Sequence, residues 1–267
     1  MLPFSVSIAT LSLAQAALVA LPRPAVSPAL ARLGGRWWGL VPPGSIALVV
    51  AAIALESDSA RVLTYLALFA VPPLAAFALG HAIRGGRPAL AALVVPFFAL
   101  AWASKDSLAG ETAALALTGL ACVSLGWLLA CVVPSRWLKL GIYAMAAIDA
   151  WLVGAELLQE PNAILNAAAP GSLPQLQYAS FGSAATGFGD LFLAATLGAL
   201  LAADRRLQLT GAVLLAALAL SFDLLFFALD SLPATVPVAM AMAILDLSQR
   251  RGDLAKAASE ATPSGRR

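Results

Sequence analysis

Long apolar stretches alternate with short polar connections along most of the chain. A membrane-crossing helix needs about 20 mostly apolar residues, and the pattern predicts nine such segments within a single transmembrane domain, residues 1–248. The segments are 4–21, 40–55, 62–80, 88–104, 112–133, 138–158, 181–203, 207–228 and 232–248. Residues 249–267 are polar and are expected to form a disordered cytoplasmic tail. The predicted fold is therefore an all-α membrane protein.

Lysine and arginine are distributed unevenly among the predicted connections. With nine spans, 14 of these residues lie on the side of the C-terminus, and Arg61 and Lys105 lie on the other side. Positively charged connections stay in the cytoplasm, so we predict an external N-terminus and a cytoplasmic C-terminus. Removing any one span would reverse all later connections and destroy the asymmetry, which supports nine spans.

The composition agrees with this interpretation and excludes other classes of protein. The chain is 61% apolar and 11% charged, whereas a soluble domain has about 45–50% apolar and about 25% charged residues. A net charge of +2 is too small to indicate nucleic-acid binding. The only histidine is His81, and Cys122 and Cys131 lack the spacing of zinc ligands or of a disulfide framework. No metal or cofactor is predicted, and the compact, alanine-rich chain favours a bacterial inner membrane.

Two aspartates, Asp149 and Asp190, lie deep inside predicted spans. A charge at the centre of the bilayer costs between about 2.5 and more than 10 kcal/mol, so such residues indicate function. Each lies nine residues from the outer end of its span, which corresponds to a depth of roughly 13 Å. Matched depth on consecutive helices allows the carboxyl groups to face each other and share one proton. The ionised member could then activate water while the protonated member polarises a carbonyl group.

Glycines precede the second aspartate, in the string Gly187-Phe188-Gly189-Asp190. Glycine has no side chain, so a substrate backbone could approach the carboxylate closely. Taken alone, the string is more typical of helix packing, and Asp149 alone could be a structural polar contact.

The order of these features resembles the presenilin and signal peptide peptidase family. That family has an aspartate in the sixth span, Gly-x-Gly-Asp in the seventh and Pro-Ala-Leu at the start of the ninth. The corresponding strings here are Ile148-Asp149, Gly187-Phe188-Gly189-Asp190 and Pro233-Ala234-Thr235. The chain departs from the family pattern at Ile148, where Tyr or Phe is usual, and at Thr235, where Leu is expected.

The resemblance implies a presenilin-like fold and an intramembrane aspartyl protease, in a prokaryotic member of the family. By this resemblance Asp149 and Asp190 would be catalytic, without a cofactor. Residues that would help to position the substrate are Gly187, Phe188, Gly189, Pro233, Ala234 and Thr235. The predicted orientation matches that of signal peptide peptidase, so the expected substrates are transmembrane helices with a cytoplasmic N-terminus, including signal-peptide remnants.

A third acid, Asp223, offers an alternative partner for Asp190, because its surroundings also resemble the sixth-span string. We favour Asp149 because Asp223 follows Gly-x-Gly-Asp in sequence. Asp223 also lies about five residues, roughly 8 Å, from the outer end of its span.

Two other functions stay open at the level of sequence. A proton-coupled transporter or channel would use the buried acids as a relay, but it predicts acids spread across the membrane, and those found here cluster in the outer half. A catalytically silent relative that binds membrane partners would keep the same motifs.

Overall fold

The computed structural model describes residues 2–55, 58–157, 164, 173–229 and 231–261, and most of them are helical. The α-helices are α1 (Phe4–Ala20), α2 (Pro28–Ala31), α3 (Val41–Leu55), α4 (Asp58–Phe77), α5 (Val94–Ala103), α6 (Leu108–Val132), α7 (Ser135–Gly154), α8 (Phe188–Leu201), α9 (Arg205–Asp223) and α10 (Val236–Ala261). Short 3-10 turns at Arg36–Leu40, Pro88–Leu93 and Leu224–Phe227 and a π-turn at Ala78–Ala82 flank some of them. Each predicted apolar segment contains a helix.

Four helical segments of the described chain are long and apolar enough to cross a membrane. They are Ser59–Ala82, Leu108–Val132, Ser135–Gly154 and Arg205–Phe227. Other apolar helices are shorter, and α8 has 14 residues. At 1.5 Å per residue α8 is about 21 Å long, which is less than the roughly 30 Å of a hydrocarbon core.

The all-α prediction is wrong in one region, because residues 178–187 form an antiparallel hairpin. Strands β1 (Tyr178–Phe181) and β2 (Ala184–Gly187) pair with Phe181 opposite Ala184. Gly182 has φ +62° in the two-residue turn, a left-handed conformation that glycine adopts readily and that such turns require. Helix α8 therefore begins at Phe188, so Asp190 lies in its first turn rather than nine residues inside a helix.

Two other helices fix the tip of the hairpin. The backbone N–H of Gly182 donates to the Glu111 carboxylate of α6 at 2.7 Å. The N–H of Ser183 donates to Ser7 Oγ of α1 at 3.2 Å. The residues in front of α8 are thus held between α1 and α6.

Helix α10 differs from the prediction at both ends. It begins at Val236 rather than 232, after Pro233, and carries Pro237 in its first turn, where the missing proline N–H costs no helical hydrogen bond. It continues to Ala261, so residues 249–261, expected to be disordered, are helical. Alanine, which favours helices, is frequent in that stretch. Residues 262–267 of the predicted tail lie outside the described residues.

Helix α8 lies at the centre of the bundle, with residues on all of its faces buried. Glycines let its neighbours approach closely, as small residues do between membrane helices. A Cβ on Gly126 of α6 would lie 2.8 Å from the backbone nitrogen of Thr196. A Cβ on Gly198 of α8 would lie 2.4 Å from the carbonyl oxygen of Val19 in α1. The helix that carries Asp190 is therefore closely packed against α1 and α6.

Candidate active site

A cavity of about 950 Å³ lies beside the start of α8. Ligand pockets typically measure about 300–1,000 Å³, so this one is large. Apolar side chains of α3, α4 and α6 form much of its wall. The three aspartates singled out in the sequence, Asp149, Asp190 and Asp223, all line it.

Asp190 is held by the backbone that precedes its own helix. Its Oδ2 accepts a hydrogen bond from the backbone N–H of Gly187 at 2.9 Å and one from Thr186 Oγ1 at 3.1 Å. An acidic residue in the first turn that bonds back to the capping N–H is a common helix start, and the helix dipole favours negative charge there. The hairpin thus fixes the position of this carboxylate.

Asp149 lies on α7 and is 6% exposed. Its Oδ2 accepts a hydrogen bond of 2.6 Å from the hydroxyl of Thr235, which is 1% exposed. Thr235 is the residue at which the chain departs from the Pro-Ala-Leu pattern. Its hydroxyl supplies the polar partner that a buried carboxylate requires.

The Asp149 and Asp190 carboxyl groups both line this mostly apolar cavity, where two ionised carboxylates would repel each other. Such a pair most readily holds one proton between the two groups. One carboxyl can then accept a proton while the other donates one, which is the requirement for acid–base hydrolysis.

The remaining predicted positioning residues are distributed around this pair. Gly187, Phe188, Gly189, Ala234 and Thr235 line the cavity. Pro233 is not one of its lining residues in the described part of the chain, and its carbonyl accepts the N–H of Val236 at 3.1 Å.

Asp223, at the end of α9, is half-buried and lines the same cavity. Its Oδ2 accepts a hydrogen bond from Ser12 Oγ of α1 at 2.8 Å. The Asp223 carboxylate therefore has a different side-chain partner from the Asp149 and Asp190 carboxylates, which are bonded by Thr235 and Thr186.

Sequence reasoning missed the contribution of α1 to this site. Gln15, 3% exposed, donates through Nε2 to the carbonyl oxygens of Asp190 at 3.2 Å and of Ala234 at 3.0 Å. Ser12 and Gln15 are three residues apart and therefore share a helix face. Helix α1 also carries Ser5, Ser7 and Thr10, so polarity alone does not single out Ser12 and Gln15 in the sequence.

No protein-family model, curated protein or solved structure matches this chain.

Proposed function

We propose that this protein is an intramembrane aspartyl protease that hydrolyses peptide bonds within transmembrane segments. The observation that carries the proposal is that Asp149 and Asp190 both line one large, mostly apolar cavity. The resemblance in sequence adds support, because residues of all three family motifs meet there, Thr235 being bonded to Asp149.

The chemistry requires only the two carboxyl groups and water. The ionised aspartate removes a proton from water as its oxygen attacks the scissile carbonyl carbon. The protonated aspartate donates its proton to the carbonyl oxygen, giving a tetrahedral intermediate. When the C–N bond breaks, the leaving nitrogen takes its proton from the aspartate that received one from water. The other aspartate takes a proton from a hydroxyl of the intermediate, so the pair again holds one proton.

The hairpin gives this site a way to bind an extended substrate. Strands β1 and β2 form a two-stranded sheet, so each strand has one edge to which another strand can be added. Strand β2 runs directly into the helix that carries Asp190. Because a helical peptide bond is shielded by its own backbone, pairing with β2 would favour the unwound form beside the carboxylates.

The proposal includes the number of membrane-spanning helices and the orientation of the chain in the membrane. We infer nine membrane-spanning helices, an external N-terminus and a cytoplasmic C-terminus, on the basis of the charge distribution. Helices shorter than the hydrocarbon core would span by local thinning of the bilayer or through flanking polar residues. The substrates would then be single transmembrane helices with a cytoplasmic N-terminus.

The test is cleavage of a synthetic transmembrane peptide by the purified full-length protein in lipid nanodiscs. Asp149→Asn and Asp190→Asn keep the shape of each side chain and remove its proton chemistry, so each is expected to abolish cleavage. Asp223→Asn is the matched control, and it is expected to retain cleavage. Cleavage that survives both Asp149→Asn and Asp190→Asn would overturn the proposal, and loss in Asp223→Asn with survival in Asp149→Asn would reassign the partner of Asp190.

A further inference from the structure

The side chain of Gln15 connects two parts of the site that are far apart in sequence. An amide group has two N–H donors, and the Nε2 of Gln15 bonds both the Asp190 carbonyl and the Ala234 carbonyl. The first carbonyl belongs to the α8 turn that carries one carboxylate. The second belongs to the residue before Thr235, whose hydroxyl bonds the other carboxylate, on Asp149.

We propose that Gln15 is a positioning residue that sets the separation of the Asp149 and Asp190 carboxyl groups. The connection runs from the Asp190 backbone through the Gln15 amide to Ala234, and then through Thr235 to the Asp149 carboxylate. Helix α1 is thereby part of the catalytic architecture, although it carries none of the three sequence motifs. This inference rests on the proposed protease function.

The segment that Gln15 bonds is not helical. It lies between Pro233 and Pro237, and neither proline has a backbone N–H to donate. Residues 231–235 precede helix α10 and adopt no regular structure. The Gln15 amide ties this segment to α1, and α1 is itself packed closely against α8 at Gly198.

The separation of the carboxyl groups has a measurable consequence. Two carboxylates share one proton over a pH range that widens as their mutual repulsion increases. Moving them apart would weaken the repulsion, so cleavage would occur over a narrower pH range. A side chain with a purely structural role would change the amount of folded protein and leave the width of that range unchanged.

The experiment compares wild type with Gln15→Met, which fills a similar volume and removes both N–H donors. We expect kcat to fall by about 10- to 100-fold, as for small misplacements of reacting groups, with KM within about two-fold of wild type. The pH profile should become narrower. Gln15→Asn keeps the amide on a shorter side chain, so its kcat should lie between those of wild type and Gln15→Met.

Thr10→Ala is the control on the same helix, because the Thr10 hydroxyl donates to Val6 O of α1 itself; it is expected to match wild type. A Gln15→Met protein with wild-type kcat and pH width refutes the positioning role. Because the width of the pH profile is measured within each variant, it does not depend on the folded fraction.

Asp149→Asn and Asp190→Asn are measured in the same assay to separate the two proposals. If both variants still cleave the peptide, the protease proposal is wrong. If neither cleaves it and Gln15→Met behaves as wild type, only the role of Gln15 is wrong.

Discussion

The hydrogen bond from Thr235 to Asp149 should stabilise the protein by an amount that can be measured directly. Its length of 2.6 Å lies in the range of about 2.5–2.7 Å for a hydroxyl that donates to a carboxylate. Hydrogen bonds to charged groups contribute about 1.5–3 kcal/mol in soluble proteins, whereas measured pairs in a membrane protein average about 0.6 and reach about 1.7 kcal/mol. Both residues are buried, so we expect a coupling energy of about 1–2 kcal/mol.

A double-mutant cycle isolates this value. The free energy of unfolding is measured by titration with denaturing detergent for wild type, Thr235→Val, Asp149→Leu and the double variant. Thr235→Ser, which keeps the hydroxyl, should retain most of the coupling and most of the cleavage activity that Thr235→Val loses. A coupling energy below about 0.5 kcal/mol, the usual limit for independent sites, would contradict the expected stabilisation by this bond.

Two further predictions concern the packing that supports the site. Gly198→Ala should lower the free energy of unfolding by about 1–3 kcal/mol, because its Cβ would lie too close to the Val19 carbonyl oxygen. Gly44→Ala is the control, since nothing lies within 4 Å of its Cβ. Equal unfolding curves for the two variants would contradict the close approach of α1 and α8. The ion pair of Lys139 and Asp246 joins α7 and α10 at 2.5 Å, with both side chains partly exposed. A double-mutant cycle of Lys139→Met and Asp246→Asn should give a coupling energy below about 1 kcal/mol that decreases in high salt. A coupling energy that does not change with salt would show that the pair is shielded from water.

The apolar pattern predicts where helices form because burial in lipid requires long runs without charge, and each run contains a helix in the structure. It does not predict helix ends well, since apolar residues on either side of an end look alike. The apolar pattern places residues 181–187 in the seventh span, whereas in the structure they belong to the hairpin. The Gly182-Ser183 pair was the available signal for a two-residue hairpin turn, but Ala184 and Ala185 favour strands only weakly.

The part of the site that could be predicted from the sequence consists of residues whose chemical type is unusual in an apolar segment. A charged side chain in an apolar segment is costly and indicates function, so Asp149 and Asp190 could be selected from sequence, and both line one cavity. The residues that form hydrogen bonds with these aspartates through tertiary packing could not be identified from the sequence. The bonds of Gln15 and Thr235 depend on how α1 and the segment before α10 pack against α7 and α8, and a single sequence does not contain that information.

The shortness of α8 has a consequence for the surrounding lipid. A helix of 14 residues covers only about two thirds of a hydrocarbon core, and the hairpin in front of it has backbone groups that lipid cannot satisfy. Such backbone is tolerated at membrane depth only within protein or beside water. Protein satisfies part of this hairpin, since its tip is bonded to Glu111 of α6 and Ser7 of α1, and residues 185–187 line the same cavity as Asp190. In the proposed hydrolase, water held in this cavity would be the second substrate, and a short central helix would let it reach the carboxyl groups without a channel across the membrane.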